Sequence, residues 1–291
     1  RIVGLTTYAA YYKSCKDDSE VITKLQSLAE KHPTRGFGVY YGRIRNEGLV
    51  WNHKRVKRVY DLLKLNIRRK RKRRLPNREK IALEQSNSIN KKWSMDFMSD
   101  ALTDGRKFRT FNLIDDFNRE VLAIEADTSL PAKRVVRVLE RVMWEKGKPE
   151  SIRVDNGPEF ISNTLESFCK EKEIQLQFIK PGKPMQNGYV ERFNRTFRED
   201  ILDAYLFSSL KEVRVLSQEW MKDYNGFHPH KSLNGYSPIG YRHAVESGKL
   251  PPPKCQPEFT TCNSGSNNNN GIVNNLISNS VNPLKSNSTL S

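Results

Sequence analysis

The chain has 291 residues, enough for one large domain or two modest ones, and 36% of them are apolar, which supports a core beside extended polar segments. Fifty Lys and Arg against 33 Asp and Glu give a formal charge of +17, while no apolar run approaches the roughly 18 residues a membrane span needs, so no membrane-spanning helix is expected. The charge is uneven: residues 1–92 carry 24 basic and 8 acidic side chains, +16, and the remaining 26 and 25 give +1.

A front third this positive suits a polyanion, because each phosphate neutralised by Lys or Arg releases counterions. A merely solubilising surface would mix both signs. Ser19 is placed to cap a first helix, in which Ile22, Leu25, Leu28 and Ala29 recur at helical spacing until His32-Pro33. A second helix is expected from about Phe37 to Asn46, with Gly48 as the breaker. Asn52 then caps a third, where Val56, Val59, Tyr60 and Leu63 form an apolar stripe and Lys54, Arg55, Lys57 and Arg58 cover the opposite face. Two short helices across a Gly-containing turn, the second basic, read either as a helix-turn-helix entering a major groove or as a small bundle with a solvated basic face. The run RRKRKRR at 68–74 favours the first, since seven adjacent positive charges repel one another in a compact fold and suit a linker tracking phosphates. The expected domains are therefore a helix-turn-helix at 1–66, a basic linker at 67–91, a second domain at 92–250 and a tail at 251–291.

From Trp93 strands alternate with amphipathic helices. KWSMDFM, FRTFNLIDDF and EVLAIEAD read as strands, and Pro131 starts a helix carrying Val135, Val138, Leu139 and Val142. SIRVDN is a fourth strand, a helix follows around Leu165 to Lys172, and IQLQFIK is a fifth strand. The fold class expected is α/β, a mixed sheet flanked by helices, preceded by an all-α domain. In NGYVERFNRTFREDIL, Val190, Phe193, Phe197 and Ile201 make a buried helical stripe, with Asn187, Glu191, Asn194 and Arg198 beside it.

Asp96 lies in the first strand, Asp155 ends the fourth, and Glu191 follows with 35 residues between it and Asp155. Three carboxylates at strand ends and on one helix repel one another unless something positive sits between them. Two Mg²⁺ ions, with Mn²⁺ as substitute, are the usual remedy and suit displacement at phosphorus. Each acid also has a plainer reading. Asp155-Asn156-Gly157 is a turn signal, Asp96 would face solvent from an edge strand, and Glu191 would pair with Arg195. Asp115 and Asp116 read as hairpin residues but compete with Asp96 as the first acid.

WSMDF, VDNGPEF and PGKPMQNGYVERFNRTFRED together resemble the integrase core of bacterial insertion-sequence transposases of the IS-three family, in the product of the second reading frame, which are relatives of retroviral integrases. The resemblance runs from about residue 20 to residue 243. It implies a ribonuclease H-like core, a catalytic and metal-binding triad of Asp96, Asp155 and Glu191, and a position approaching DNA ends at Arg198. It also implies water-driven strand cutting followed by attack of the freed 3′-hydroxyl on another phosphodiester, typically through a joined-end circle. Implied partners are double-stranded DNA, as terminal repeats and target, further copies of the chain, and an upstream reading-frame protein by fusion. Arg195, Lys180 and Lys183 are further candidates for DNA contacts. The family's Tyr-Asn…Arg-Pro-His motif stands here as Tyr224-Asn225-Gly226-Phe227-His228-Pro229-His230, with His228 in place of Arg. Pro229 between the two histidines and the absence of nearby cysteines favour a structural or DNA-contacting role over metal ligation.

Cys15, Cys169, Cys255 and Cys262 show no metal spacing and read as free thiols in a reducing cytoplasm, with the protein on the bacterial nucleoid. The opening RIVGLTTYAA lacks Met and reads as a mid-frame start. Residues 263–291 hold ten Asn, seven Ser and one charge, a composition expected to stay disordered. Two alternatives remain open. A catalytically inactive DNA-binding remnant would keep the basic front, and a ribonuclease on the same core would cleave RNA–DNA hybrids without needing a groove-reading helix.

Overall fold

The computed structural model describes residues 17–67, 86–157, 160–180 and 184–250. The basic run at 68–74, Lys183, three of the four cysteines and the Asn- and Ser-rich tail lie outside the described residues. The expected domain limits near 67–91 and at 251 fall in or beside these stretches.

Three short helices form the front unit: α1 (Ser19–Lys31), α2 (Phe37–Asn46) and α3 (His53–Leu62). Val21, Leu25, Ile44, Val56, Val59 and Tyr60 make its core, so the stripes read from spacing face inward together. Asn52 caps α3 as expected, its side chain accepting from Lys54 N at 2.8 Å. The start of α1 differs from expectation. Ser19 is the first helical residue, Asp18 takes the cap position, and Asp17 Oδ1 accepts from Ser19 N and Oγ at 2.9 and 2.6 Å. A carboxylate complements the positive end of the helix better than a hydroxyl does.

The second unit is a five-stranded sheet in the order β3-β2-β1-β4-β5. Strands β1 (Lys92–Ala101), β2 (Lys107–Asp115) and β3 (Val121–Asp127) form an antiparallel meander, while β4 (Ser151–Val154) and β5 (Gln175–Phe178) run parallel to β1. β1 is thus the central strand, not an edge. Its side chains alternate. Trp93 and Met95 enter the core shared with α4 (Ala132–Lys146) and α5 (Asn163–Glu171), and Met98 enters the opposite core under α6 (Gly188–Phe197) and α7 (Leu210–Phe227). This is the mixed, helix-flanked sheet expected of a ribonuclease H-like core.

Two features depart from the sequence reading. The helix expected to run unbroken to Leu202 leaves α-geometry at Arg198 and continues as a π turn over Arg198–Leu202. The wider turn lets two consecutive residues, Ile201 and Leu202, both bury, which a straight helical stripe would separate. The 18-residue α7 was not anticipated. Its start carries a capping box, with Ser209 Oγ accepting from Glu212 N at 3.3 Å and Glu212 accepting from Ser208 N at 2.9 Å. Near its end, Asn225 accepts from Val121 N at 2.8 Å and donates to Val121 O at 2.9 Å, covering exposed backbone of the edge strand β3. A last helix, α8 (Pro238–Glu246), packs on α7.

The front unit is tied to this core by α1, α2 and the turn between them. Arg35 donates to Asp200 at 2.8 Å, Glu199 at 2.9 Å and Thr196 O at 3.0 Å, and Asp223 receives Arg43 at 2.7 Å and Lys31 at 3.0 Å. Gly42 lies so close to Pro229 that a Cβ there would stand 2.6 Å from the ring carbons.

Candidate active site

The parallel register of β1 and β4 pairs Ser94 with Arg153. Two residues further along each strand stand Asp96 and Asp155, so the register points both acids to neighbouring positions on the face that carries α6. β4 ends at Val154. Asp155 opens the turn behind it, with Oδ1 accepting from Gly157 N at 3.0 Å, so its turn-forming role occupies one carboxylate oxygen. Asp96 is half-buried; Oδ1 accepts from Phe97 N at 2.8 Å and Oδ2 from Asn194 Nδ2 at 2.7 Å. Asn194 in turn accepts from Asn112 Nδ2 at 2.7 Å, and Asn112 stands directly opposite Asp96 in the β1–β2 ladder. Glu191 projects from α6 one turn before Asn194 and is exposed.

The electrostatics link the three acids. Burial pushes the Asp96 carboxyl up to about 6; the Phe97 N–H opposes this, and the charges of Asp155 and Glu191 raise it further. Glu191, although exposed, is also raised above its usual value by the partial desolvation of its carboxyl, with Arg195 pulling the other way. The acids share one field. Among the described residues, no three His, Cys, Asp or Glu side chains close on a common point at ligating distance. The donor chemistry still fits a hard divalent cation, since the site offers carboxylate oxygens and an excess of negative charge that burial makes unfavourable.

The competing acids have other work. Asp115 accepts from Asn90 N at 2.8 Å and Phe117 N at 2.7 Å, and Asp116 from Ser94 Oγ at 2.6 Å and Arg153 Nη1 at 3.0 Å. Both are buried, and burial raises Asp115 to about 7 and Asp116 likewise upward. Their oxygens hold the β2–β3 turn and β4 in place. Arg153 also donates to Gln186 O at 3.0 Å, joining β4 to the turn that leads into α6. Sequence reasoning gave no role to Asn112, Asn194 or Arg153. For Asn112 and Arg153 the available signal was a large polar side chain set among buried strand residues, in FNLI and SIRV.

The candidate DNA contacts divide by partner. Lys54 is exposed at the start of α3. Arg55 and Arg58 both grip Asp18, at 2.9 and 2.5 Å, and Lys57 pairs with Asp61 one turn on at 2.5 Å. Arg195 and Lys180 are exposed. Arg198 turns back to β1, donating to Ser99 O at 3.0 Å and Asp100 at 3.5 Å. His228 and His230 pack on the Tyr224 ring, with centroids at 4.8 and 5.3 Å, and burial holds both rings well below the usual histidine range. They serve the interior. Cys169 is a buried free thiol that burial pushes up to about 11. No helix of the described residues is long and apolar enough to cross a membrane.

Comparison with known proteins adds the family. Two models described as integrase core domain match residues 86–184 and 172–238. The chain is 36% identical over 242 residues to the insertion element IS407 uncharacterized 31.7 kDa protein of Burkholderia multivorans, covering 82% of this chain and 87% of that one. It is 26% identical to the putative transposase InsK for insertion sequence element IS150 of Escherichia coli, over 68% of this chain and 74% of the relative. Among solved structures, a chain of the simian T-cell lymphotropic virus intasome in complex with PP2A regulatory subunit B56 gamma aligns with a TM-score of 0.49 at 15% identity, covering 82% of this chain and 80% of that one. Taken with the sheet order and the matched core, the extent of the IS407 likeness means that the chain belongs to the insertion-sequence transposases, proteins of DNA transposition and integration built on an integrase-type core.

Proposed function

We propose that the protein is a metal-dependent DNA strand-transferase that cuts the ends of its element and joins the freed 3′-hydroxyl to another phosphodiester. The observation that carries this reading is the β1–β4 register that sets Asp96 level with Asp155 on the face under α6, the helix that carries Glu191, and the raised carboxyl at Asp96 agrees with it. Asp96 and Asp155 would hold one shared cation position and Glu191 would complete a second. Two bound Mg²⁺ ions, or Mn²⁺ in their place, would supply Lewis-acid activation of the attacking oxygen and charge stabilisation of the leaving one. Asn194 and the Phe97 N–H each take one lone pair of Asp96, on Oδ2 and Oδ1, and leave the other lone pair of each oxygen to the site. The exposed end of α3, at Lys54, would lie in the major groove of a terminal repeat, with Arg195 and Lys180 taking phosphates nearer the acids. Assembly on DNA would be multimeric, with a fused upstream reading-frame protein as a further partner, in the bacterial cytoplasm at the nucleoid.

The test is strand transfer on end-sequence duplexes with Mg²⁺ or Mn²⁺. Glu191→Gln is expected to lower the rate by about 10³-fold, corresponding to roughly 4 kcal/mol of lost charge stabilisation. A wild-type chain that binds the ends yet neither cuts nor joins them with either ion would refute the enzyme and leave a DNA-binding remnant.

A further inference from the structure

A cavity of about 740 Å³ lies between α2 and the loop at 229–236, and a second of about 220 Å³ lies between α6 and the loop at 228–232. They share Pro229 and Lys231 as a common wall, so the two adjoin along the seam between the front unit and the core. No acid lines either cavity, whereas Arg45, Lys231, Arg192 and Arg119 do. Among the described residues none of these four makes an ion pair with a carboxylate, in contrast to Arg35, Arg43, Arg55 and Arg58, which all do. Arg119 is the telling member. It is 6% exposed, sits in the left-handed backbone region at φ 63°, and stacks on Tyr189 with its guanidinium carbon 3.5 Å from the ring centroid. Among the described residues its guanidinium makes one hydrogen bond, a long one to Phe117 O at 3.4 Å. Buried Asp116 and Asp115 offset its charge at a distance without an ion pair, so an anion in the cavity would add the direct partner it lacks.

The groove is separate from the acids. At 3.6 residues per turn, Tyr189, Arg192 and Thr196 stand roughly 100–160° around α6 from Glu191. Its walls also suit bases as well as phosphates, since Tyr41 and Tyr236 line the larger cavity and the missing side chain of Gly38 leaves open space, with nothing within 4 Å of where a Cβ would be. Aromatic rings beside unpaired cations are how proteins hold single strands, whose bases are free to stack; a duplex keeps its bases stacked on each other.

We infer that this seam groove binds a short unpaired stretch of DNA, with its phosphates toward Arg45, Lys231 and Arg192 and its bases toward Tyr41 and Tyr236. The inference takes DNA as the substrate from the proposed function but does not depend on the acids. The test therefore uses the full chain carrying Glu191→Gln, without metal, and fluorescence anisotropy of a labelled mixed-sequence single strand of about 20 nucleotides beside an end-sequence duplex. Combined Arg45→Glu and Lys231→Glu is expected to weaken single-strand binding at least about tenfold and to lower its salt slope by about 1.4, while duplex binding stays within about twofold. Gly38→Phe, which fills the groove without touching charge, should give the same single-strand loss. Single-strand binding unchanged in both variants overturns the inference, and so does an equal loss for single strand and duplex. A wild-type chain that binds the single strand as expected yet neither cuts nor joins end-sequence duplexes with Mg²⁺ would instead count against the acid site alone.

Discussion

Replacing Asp96 with Asn should make the metal-free protein more stable, and by an amount that depends on pH. The folded carboxyl titrates at about 6 against an ordinary 3.8, so the folded state keeps a proton that the unfolded state has already lost between those values. Stability therefore falls as pH rises through that window and levels off above it; below about pH 3.8 the carboxyl is neutral in both states and carries no penalty. A gap of about two pH units corresponds to roughly 3 kcal/mol, and because Asp96 is half-exposed to screening solvent about half of that, ~1.5 kcal/mol, is the working figure. The amide chain can absorb the change. Asn112 Oδ1 is buried without a partner, so flipping Asn194 and Asn112 lets the new amide donate to Asn194 and Asn194 donate to Asn112. Thermal melts without metal should show Asp96→Asn gaining about 3–6 °C over wild type near pH 7.5 and little near pH 4. Added Mg²⁺ should raise the wild-type melt at pH 7.5 and leave that of the variant where it is. An equal shift at both pH values, or a loss at pH 7.5, would refute the argument that mutual repulsion and burial act on this carboxyl.

Three further outcomes follow from the packing. Gly42→Ala should destabilise by about 1–3 kcal/mol, because its methyl would sit 2.6 Å from Pro229, whereas Gly38→Ala, facing open space four residues earlier, should be neutral or stabilising by up to about 1 kcal/mol; chemical denaturation of the pair measures both. Arg153→Met removes the cation from buried Asp116 and should cost about 3–5 kcal/mol by the same assay, since the carboxylate loses its 3.0 Å partner in the interior. Arg35→Ala breaks the ties to Asp200, Glu199 and Thr196 O, and is expected to speed hydrogen exchange in α1 and α2 while leaving β1 and β2 protected; uniform deprotection would argue that the two units unfold as one.

Local chemistry wrote much of this protein into its sequence. The three front helices appear where apolar residues recur at helical spacing, and Asn52 caps α3 because a side-chain oxygen beside free N–H groups needs no tertiary help. The five strands and the helices between them also fall where alternation and turn residues put them, and the motifs around Asp96, Asp155 and Glu191 pointed to the family. What spacing left open was which acids share a site. Asp96 and the Asp115–Asp116 pair have similar surroundings along the chain, and only the sheet separates them: β1 is central, its register brings Asp96 level with Asp155, and Ser94 and Arg153 draw Asp116 into the interior. The partners of the basic residues were equally out of reach. Arg55 and Arg58 look free on a helical wheel, yet they close on Asp18, about forty residues away, while Arg45, Arg119, Arg192 and Lys231 come from four separate segments to line two adjoining cavities. Helix caps and stripes are set by neighbours within a turn or two; ion pairs and shared fields depend on distances that exist only once remote segments pack together.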